Sequence, residues 1–204
     1  MAFKLPKLIA TSVVRGSVQG ESHGGIFTVD FEKKEAEQHV DWNTSNIDFE
    51  GRGADRGLRG ICFNEEDIYI AASDELFCYD KNFKNKGSIK NRYLKHAHEI
   101  CRMENRIFLT STGFDSLLSF NLEAKQFDWG FQLRKEYDQW TGGLFDPRKS
   151  IGPRPVNDFH INMIDVSEDG IFFSGLRTEG LFLLKVDNTV AKVCELPPGT
   201  HNPQ

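Results

Sequence analysis

Arg59, His98, His160 and His201 recur at one phase of this chain, each at or near the start of an apolar or strand-like segment. Imidazole binds transition metals in its neutral form and exchanges a proton near neutral pH, while guanidinium grips carboxylates through two parallel donors. Brought together, these groups would make a site for a small anionic molecule or a divalent metal. We expect His98, His160 and His201 as metal ligands, Arg59 and His201 as anion-binding groups, and His98 and His160 as the groups that move protons. Histidine ligation would select zinc or iron; a site built from oxygen donors would select calcium instead. His96 lies in phase with His98. The plainer expectation for any one of these histidines is a hydrogen bond to backbone or water in a polar channel.

Two further clusters carry chemistry on paper. In Gln19-Gly-Glu-Ser-His-Gly-Gly25, Glu21 and His23 form a candidate catalytic acid/base pair, and the glycines permit close backbone approach. A hairpin turn that needs glycine torsions explains the same residues. Gly20-Glu-Ser-His-Gly24 spells a nucleophile elbow, but that motif requires a strand-to-helix turn in an α/β fold. In Pro155-Val-Asn-Asp-Phe-His160-Ile-Asn162, Asn157 and Asn162 add oxygen donors beside His160, and Asp115 is a further suspect. Strand alternation assigns Glu99 to the side away from His98.

The elements that must position these groups repeat about every forty residues. Arg59-Gly-Ile-Cys-Phe with Ile68-Tyr-Ile-Ala-Ala and Leu76-Phe-Cys-Tyr-Asp80 overlays His98-Glu-Ile-Cys-Arg with Ile107-Phe-Leu-Thr-Ser and Leu117-Leu-Ser-Phe-Asn121. A third copy runs from His160 to Lys185, and a partial one from Leu8 to Trp42. Turn-forming residues stand between the first two strands of each full copy, at Glu65-Glu66, Glu104-Asn105 and Asp169-Gly170. The expected fold is all-β, a propeller or partial propeller of about four blades with four antiparallel strands each, the first blade lacking its inner strand. We expect strands at 8–14, 25–30 and 38–42; at 58–63, 68–72, 76–80 and 89–94; at 98–103, 107–111, 117–121 and 126–133; and at 159–165, 171–174, 181–186 and 190–196. Residues 199–204 read as the entry to another inner strand. Residues 1–204 form one domain, with polar inter-blade loops at 43–57 and 134–158. The ring closes within the chain, through a second copy, or as part of something larger; a stack of sheets is the remaining alternative.

Composition narrows the classes. Of 204 residues, 39% are hydrophobic and 17 are Phe, enough for a substantial core. With a net charge of −5 and basic residues scattered, a nucleic-acid partner is not expected. No apolar run approaches a membrane span, and Pro6 and Lys7 interrupt the start too early for a signal peptide, so a cytoplasmic protein is expected. Cys62, Cys78, Cys101 and Cys194 form no C-x-x-C pair and read as reduced, buried small hydrophobes.

His98-Glu-Ile with Thr112-Gly-Phe-Asp-Ser116, Arg59-Gly-Ile with Ile68-Tyr-Ile-Ala-Ala-Ser-Asp74, and Thr200-His-Asn resemble six-bladed propellers of the NHL/SMP-30-like kind, over about residues 8–200. That resemblance implies metal-dependent lactonases, strictosidine-synthase-like proteins or binding propellers without catalysis. The lactonase pattern implies an axial divalent ion held by Glu, Asn and Asp, for which Glu21, Asn157 or Asn162, and Asp115 are the nearest candidates. Histidines stand here where that pattern wants oxygen ligands. The expected function is an axial His/Arg pocket, extending to a metal-dependent hydrolase or lyase; the alternative is an interaction module that assembles with itself or a protein partner. Whether the chain is an enzyme stays open at this level.

Overall fold

The computed structural model describes residues 5–18, 20–43 and 57–203. They form four antiparallel blades. Blade 1 holds three strands, β1 (Leu8–Thr11), β2 (Ser22–Asp30) and β3 (Glu35–Asn43). Blade 2 holds β4 (Ile61–Asn64), β5 (Asp67–Ala72), β6 (Glu75–Asp80) and β7 (Asn85–Lys90). Blade 3 holds β8 (Ile100–Met103), β9 (Arg106–Ser111), β10 (Ser116–Asn121), β11 (Gln126–Glu136) and β12 (Gln139–Phe145). Blade 4 holds β13 (Ile161–Ser167), β14 (Gly170–Gly175), β15 (Gly180–Leu184) and β16 (Val190–Glu195). The chain is a four-bladed β-propeller whose first blade has three strands among the described residues. At the first turn of the three later blades, Glu65, Glu104 and Gly170 take positive φ, which lets the inner strand double back.

Burial explains the strand patterns. In blade 2, Ile68, Ile70, Phe77 and Tyr79 face blade 1, where they pack with Ile26, Trp42 and Leu58. Their neighbours Tyr69, Ala71, Leu76 and Cys78 face blade 3, against Ile107, Leu109, Leu118 and Phe120. A sheet covered on both sides needs apolar residues at every position, which is why Ile68–Ala72 reads as a continuous apolar run. The third core joins blades 3 and 4 through Leu117, Phe131, Ile164, Phe173 and Phe182. Among the described residues these three clusters link consecutive blades, and none joins blade 4 to blade 1.

Several expectations are corrected. The outer strand of blade 2 lies at Asn85–Lys90 rather than 89–94. Tyr93 and Leu94 leave the sheet and enter the core between blades 2 and 3, 4% and 2% exposed. Much of 134–158 is strand: β11 continues to Glu136 and pairs with β12, giving blade 3 a fifth strand. Trp140 of β12 packs its ring on Phe159 and Phe182, at 5.1 and 4.7 Å. The 43–57 connection falls largely outside the described residues. Among the described residues no strand forms after Glu195. The cysteines are unpaired, but Cys194 is exposed; burial pushes the Cys62 and Cys101 thiols up to about 12.

Candidate functional site

Inner strands β4, β8 and β13 begin beside one another, so the residues entering them converge. Gly60 N–H donates to the His98 carbonyl at 2.8 Å, tying the entry of β4 to that of β8. Thr112 Oγ1 donates to the Ile161 carbonyl, tying blade 3 to β13. His98, His160 and His201 meet there. One ligand atom from each imidazole lies within 4.8 Å of the others. The His98 ring centroid stands 5.3 Å from that of His160 and 5.5 Å from that of His201. The common phase of the three histidines therefore becomes a common place.

Each ring is set by its neighbours. His160 Nδ1 donates to Asn157 Oδ1 at 3.1 Å, which leaves Nε2 with its lone pair free for a ligand. Arg59 Nη1 lies 3.5 Å from His98 Nδ1, at the outer limit of a hydrogen bond, too weak a contact to commit the ring's lone pair. The Thr110 hydroxyl oxygen accepts the backbone N–H groups of both His98 and Glu99, at 3.0 and 3.1 Å. Burial drives the His98 pKa down to about 2, helped by Arg59 and the neighbouring imidazoles. Burial, then Arg177 and the facing His201, lowers His160 to about 4. His201, though exposed at its mouth, is also lowered, by burial and by Arg59 and Arg15. All three rings are thus neutral near pH 7, the form that binds metal.

Asp115, expected as a ligand, is engaged by main chain. Its buried carboxylate accepts three backbone N–H groups, from Asp158 at 2.6 Å and Phe159 at 3.1 Å on Oδ2 and from His160 at 2.9 Å on Oδ1. Burial raises its pKa while those donors oppose the rise. His160 sits at φ 56°, a left-handed conformation uncommon for histidine, and the three bonds hold the chain in it. Asp115 thus holds the main chain that carries His160.

The Glu21/His23 pair does not assemble. Glu21 Oε2 accepts from Val18 N–H at 3.0 Å on the surface, while His23 is fully buried, its Nδ1 2.5 Å from Ser17 Oγ and its ring edge-on to Trp42. The glycines beside them answer a packing need. A Cβ on Gly24 would lie 1.9 Å from the Ser12 carbonyl oxygen, and one on Gly25 2.2 Å from that of Val40. His96 stands to one side, lining a groove with Asp74, Lys95 and Phe114.

A cavity of about 550 Å³ opens beside the imidazoles, lined by β1 and by Arg59, His98, Glu99, Asn162, His201 and Asn202. Glu99 and Asn202 were not expected there. Alternation misplaces Glu99 because regular pairing of β8 starts only at Ile100. Asn162 reaches the cavity through a bulge: Ile161 pairs with Gly175 and Met163 with Ser174, leaving Asn162 as the extra residue. The bulge also returns Ile164, with Ile161, to the core facing blade 3 and away from the axial side.

No family model matches the chain, and no curated protein matches it. Its fold is similar to a chain of a mitotic checkpoint complex, with 8% identity and a TM-score of 0.50, over 95% of this chain and 61% of that one. Lower likenesses join it to a glutaminyl cyclase of Myxococcus xanthus (12% identity, TM-score 0.43, 89% and 71% covered) and to a nidogen/laminin complex (8%, 0.43, 86% and 72%). The chain spans 61% of the length of the first of these. The expected six-bladed NHL/SMP-30-like family is overturned by the four blades observed and by the absence of any family match. The residues that suggested it lie in the repeating blade pattern, and the hydrolase expectation loses that support with it. What the comparisons show is the propeller fold, shared across proteins of unrelated names.

Proposed function

We propose that the propeller axis carries a binding site for a divalent transition metal of the zinc or iron class, held by His98, His160 and His201. Arg59 stands beside it to neutralise a small anion at the remaining coordination position. The convergence of the three imidazoles carries this reading. An ion bonded at about 2.1 Å to each nitrogen in a tetrahedral site sets the nitrogens about 3.4 Å apart. From 4.8 Å, small ring rotations reach that distance. Three protein ligands leave one position open. A guanidinium beside a dication is unfavourable alone and favourable with an anion between them, so cation and anion should bind together. When bound, such a metal would polarise the anion; His160 is kept in the competent tautomer by Asn157 and in place by Asp115. Metal analysis of protein purified without an affinity tag, then reloaded with zinc, tests this. The wild type should hold roughly one equivalent, as a three-imidazole site would, and His98→Ala and His160→Ala should lose it. Unchanged content in both variants overturns the reading.

A second reading, an interaction module, is favoured by the terminal blades. Strand alternation turns Leu8, Phe27, Val29 and Phe31 of blade 1, and Phe172, Leu181 and Leu183 of blade 4, away from the neighbouring cores. Leu8 and Phe31 are 45% and 49% exposed and the others half-buried. Apolar faces of this kind suit a partner surface, a second copy included. Mass measurement in solution tests it, and a monomer that captures no further blade or partner removes it.

A further inference from the structure

Asn162 is 1% exposed, yet neither its Oδ1 nor its Nδ2 has a hydrogen-bond partner. The bulge in β13 turns this carboxamide into the cavity shared with Arg59 and His98. Asn202, also in the lining of the cavity, is in a similar state: its Nδ2 donates to Glu99 Oε2 at 3.3 Å, while its buried Oδ1 is without a partner. A buried carboxamide left without partners is costly, and proteins retain one where a ligand or ordered water completes it. A bulge that aims such a group at a cavity is a device found next to binding sites.

We propose that this cavity takes a small hydroxycarboxylate, its carboxylate at the Arg59 end and its hydroxyl between Asn162 and Asn202. This rests on the reading of the axis as an anion site. The hydroxyl follows from the donor and acceptor count. A hydroxyl carries one O–H, which can reach Asn162 Oδ1 or Asn202 Oδ1 and leaves the other to water, while its oxygen can accept from Asn162 Nδ2. A purely apolar tail would leave both carboxamides unpaired. The cavity, about 550 Å³, lies in the range of small-molecule sites.

Malate and succinate differ by one hydroxyl, so calorimetric titration of each into zinc-loaded and metal-free protein reads the inference directly. Malate should bind about ten-fold more tightly, the value of one buried hydrogen-bonded hydroxyl. That preference should fall to near unity in Asn162→Ala and in Asn202→Ala, with zinc content unchanged. Asn202 lies outside any strand, so its variant keeps the test open if Asn162→Ala does not fold. Equal binding of the two acids, a preference that survives both substitutions, or failure of both acids to bind protein that still loads zinc overturns the hydroxycarboxylate. Preferential malate binding by protein that refuses zinc supports it and removes the metal reading instead.

Discussion

Replacing Asp115 with Ala separates an anchor from a ligand. Its carboxylate serves the backbone N–H groups of Asp158, Phe159 and His160. Removing it orphans three donors, each worth about 1 to 3 kcal/mol when buried. Asp158 is exposed and the other two residues are half-buried, so water reaches the freed groups and the low end applies. Three donors at about 1 kcal/mol each give a loss near 3 kcal/mol. Asp115→Asn can keep its oxygen on the Asp158 and Phe159 N–H groups and turns an N–H₂ toward that of His160 alone, so it should lose about 1 kcal/mol. His160 would also leave its left-handed conformation more readily, and zinc affinity should fall about 10- to 100-fold, as for other groups that orient metal ligands. Urea denaturation of the apo protein and competitive zinc titration measure the two effects. Full stability combined with complete loss of zinc would refute the anchoring argument and restore Asp115 as a ligand; wild-type values in both assays would refute any role.

The imidazoles predict a pH dependence. Their folded pKa values lie below the ordinary 6.5, so the folded state binds fewer protons than the unfolded one, and stability present above about pH 6.5 is lost as pH falls toward 4 and then 2. Denaturant midpoints between pH 8 and 4 should decline, and less so in His98→Phe; an unchanged slope in that variant contradicts the burial of a neutral ring. Arg59→Gln removes a like charge from beside the metal, so zinc should bind several-fold more tightly while carboxylate affinity drops about ten-fold or more. Weaker zinc binding in that variant would count against the arrangement. Trp140→Ala strips the cover from Phe159 and Phe182, and its half-buried position sets the cost near 3 kcal/mol, measured by chemical denaturation. Gly24→Ala drives a methyl into the Ser12 carbonyl at a φ of 129°, and blade 1 should melt early in hydrogen exchange.

What the sequence reveals and what it hides have different physical origins. A repeat fixes phase, and phase fixes which residues enter the axis, so His98, His160 and His201 could be selected before any coordinates, even though His201 lies on no strand. Burial on two faces made the central blades legible as apolar runs, and turn chemistry placed their hairpins. Period-two alternation is the wrong tool at strand entries. Glu99 precedes the first paired residue of β8, Asn162 is a bulge, and His160 has a positive φ, so each departs from the pattern that was used to orient it. Asp115 was hidden for another reason: its partners are backbone groups forty residues away, and composition cannot tell a carboxylate that holds main chain from one that holds a metal. Glu21 and His23 show the converse. Adjacency made them a pair, and the fold sends one to solvent and the other into the core. The departures from regularity also coincide with the cavity. Irregular backbone costs stability and must be held by other bonds, here those of Asp115 and Thr110. A propeller has no packing reason to distort the entry of two inner strands toward one point. The chain does so where three imidazoles converge and an unpartnered carboxamide lines the adjoining cavity, and that concentration of strain and buried polarity is the ground for proposing a binding site there.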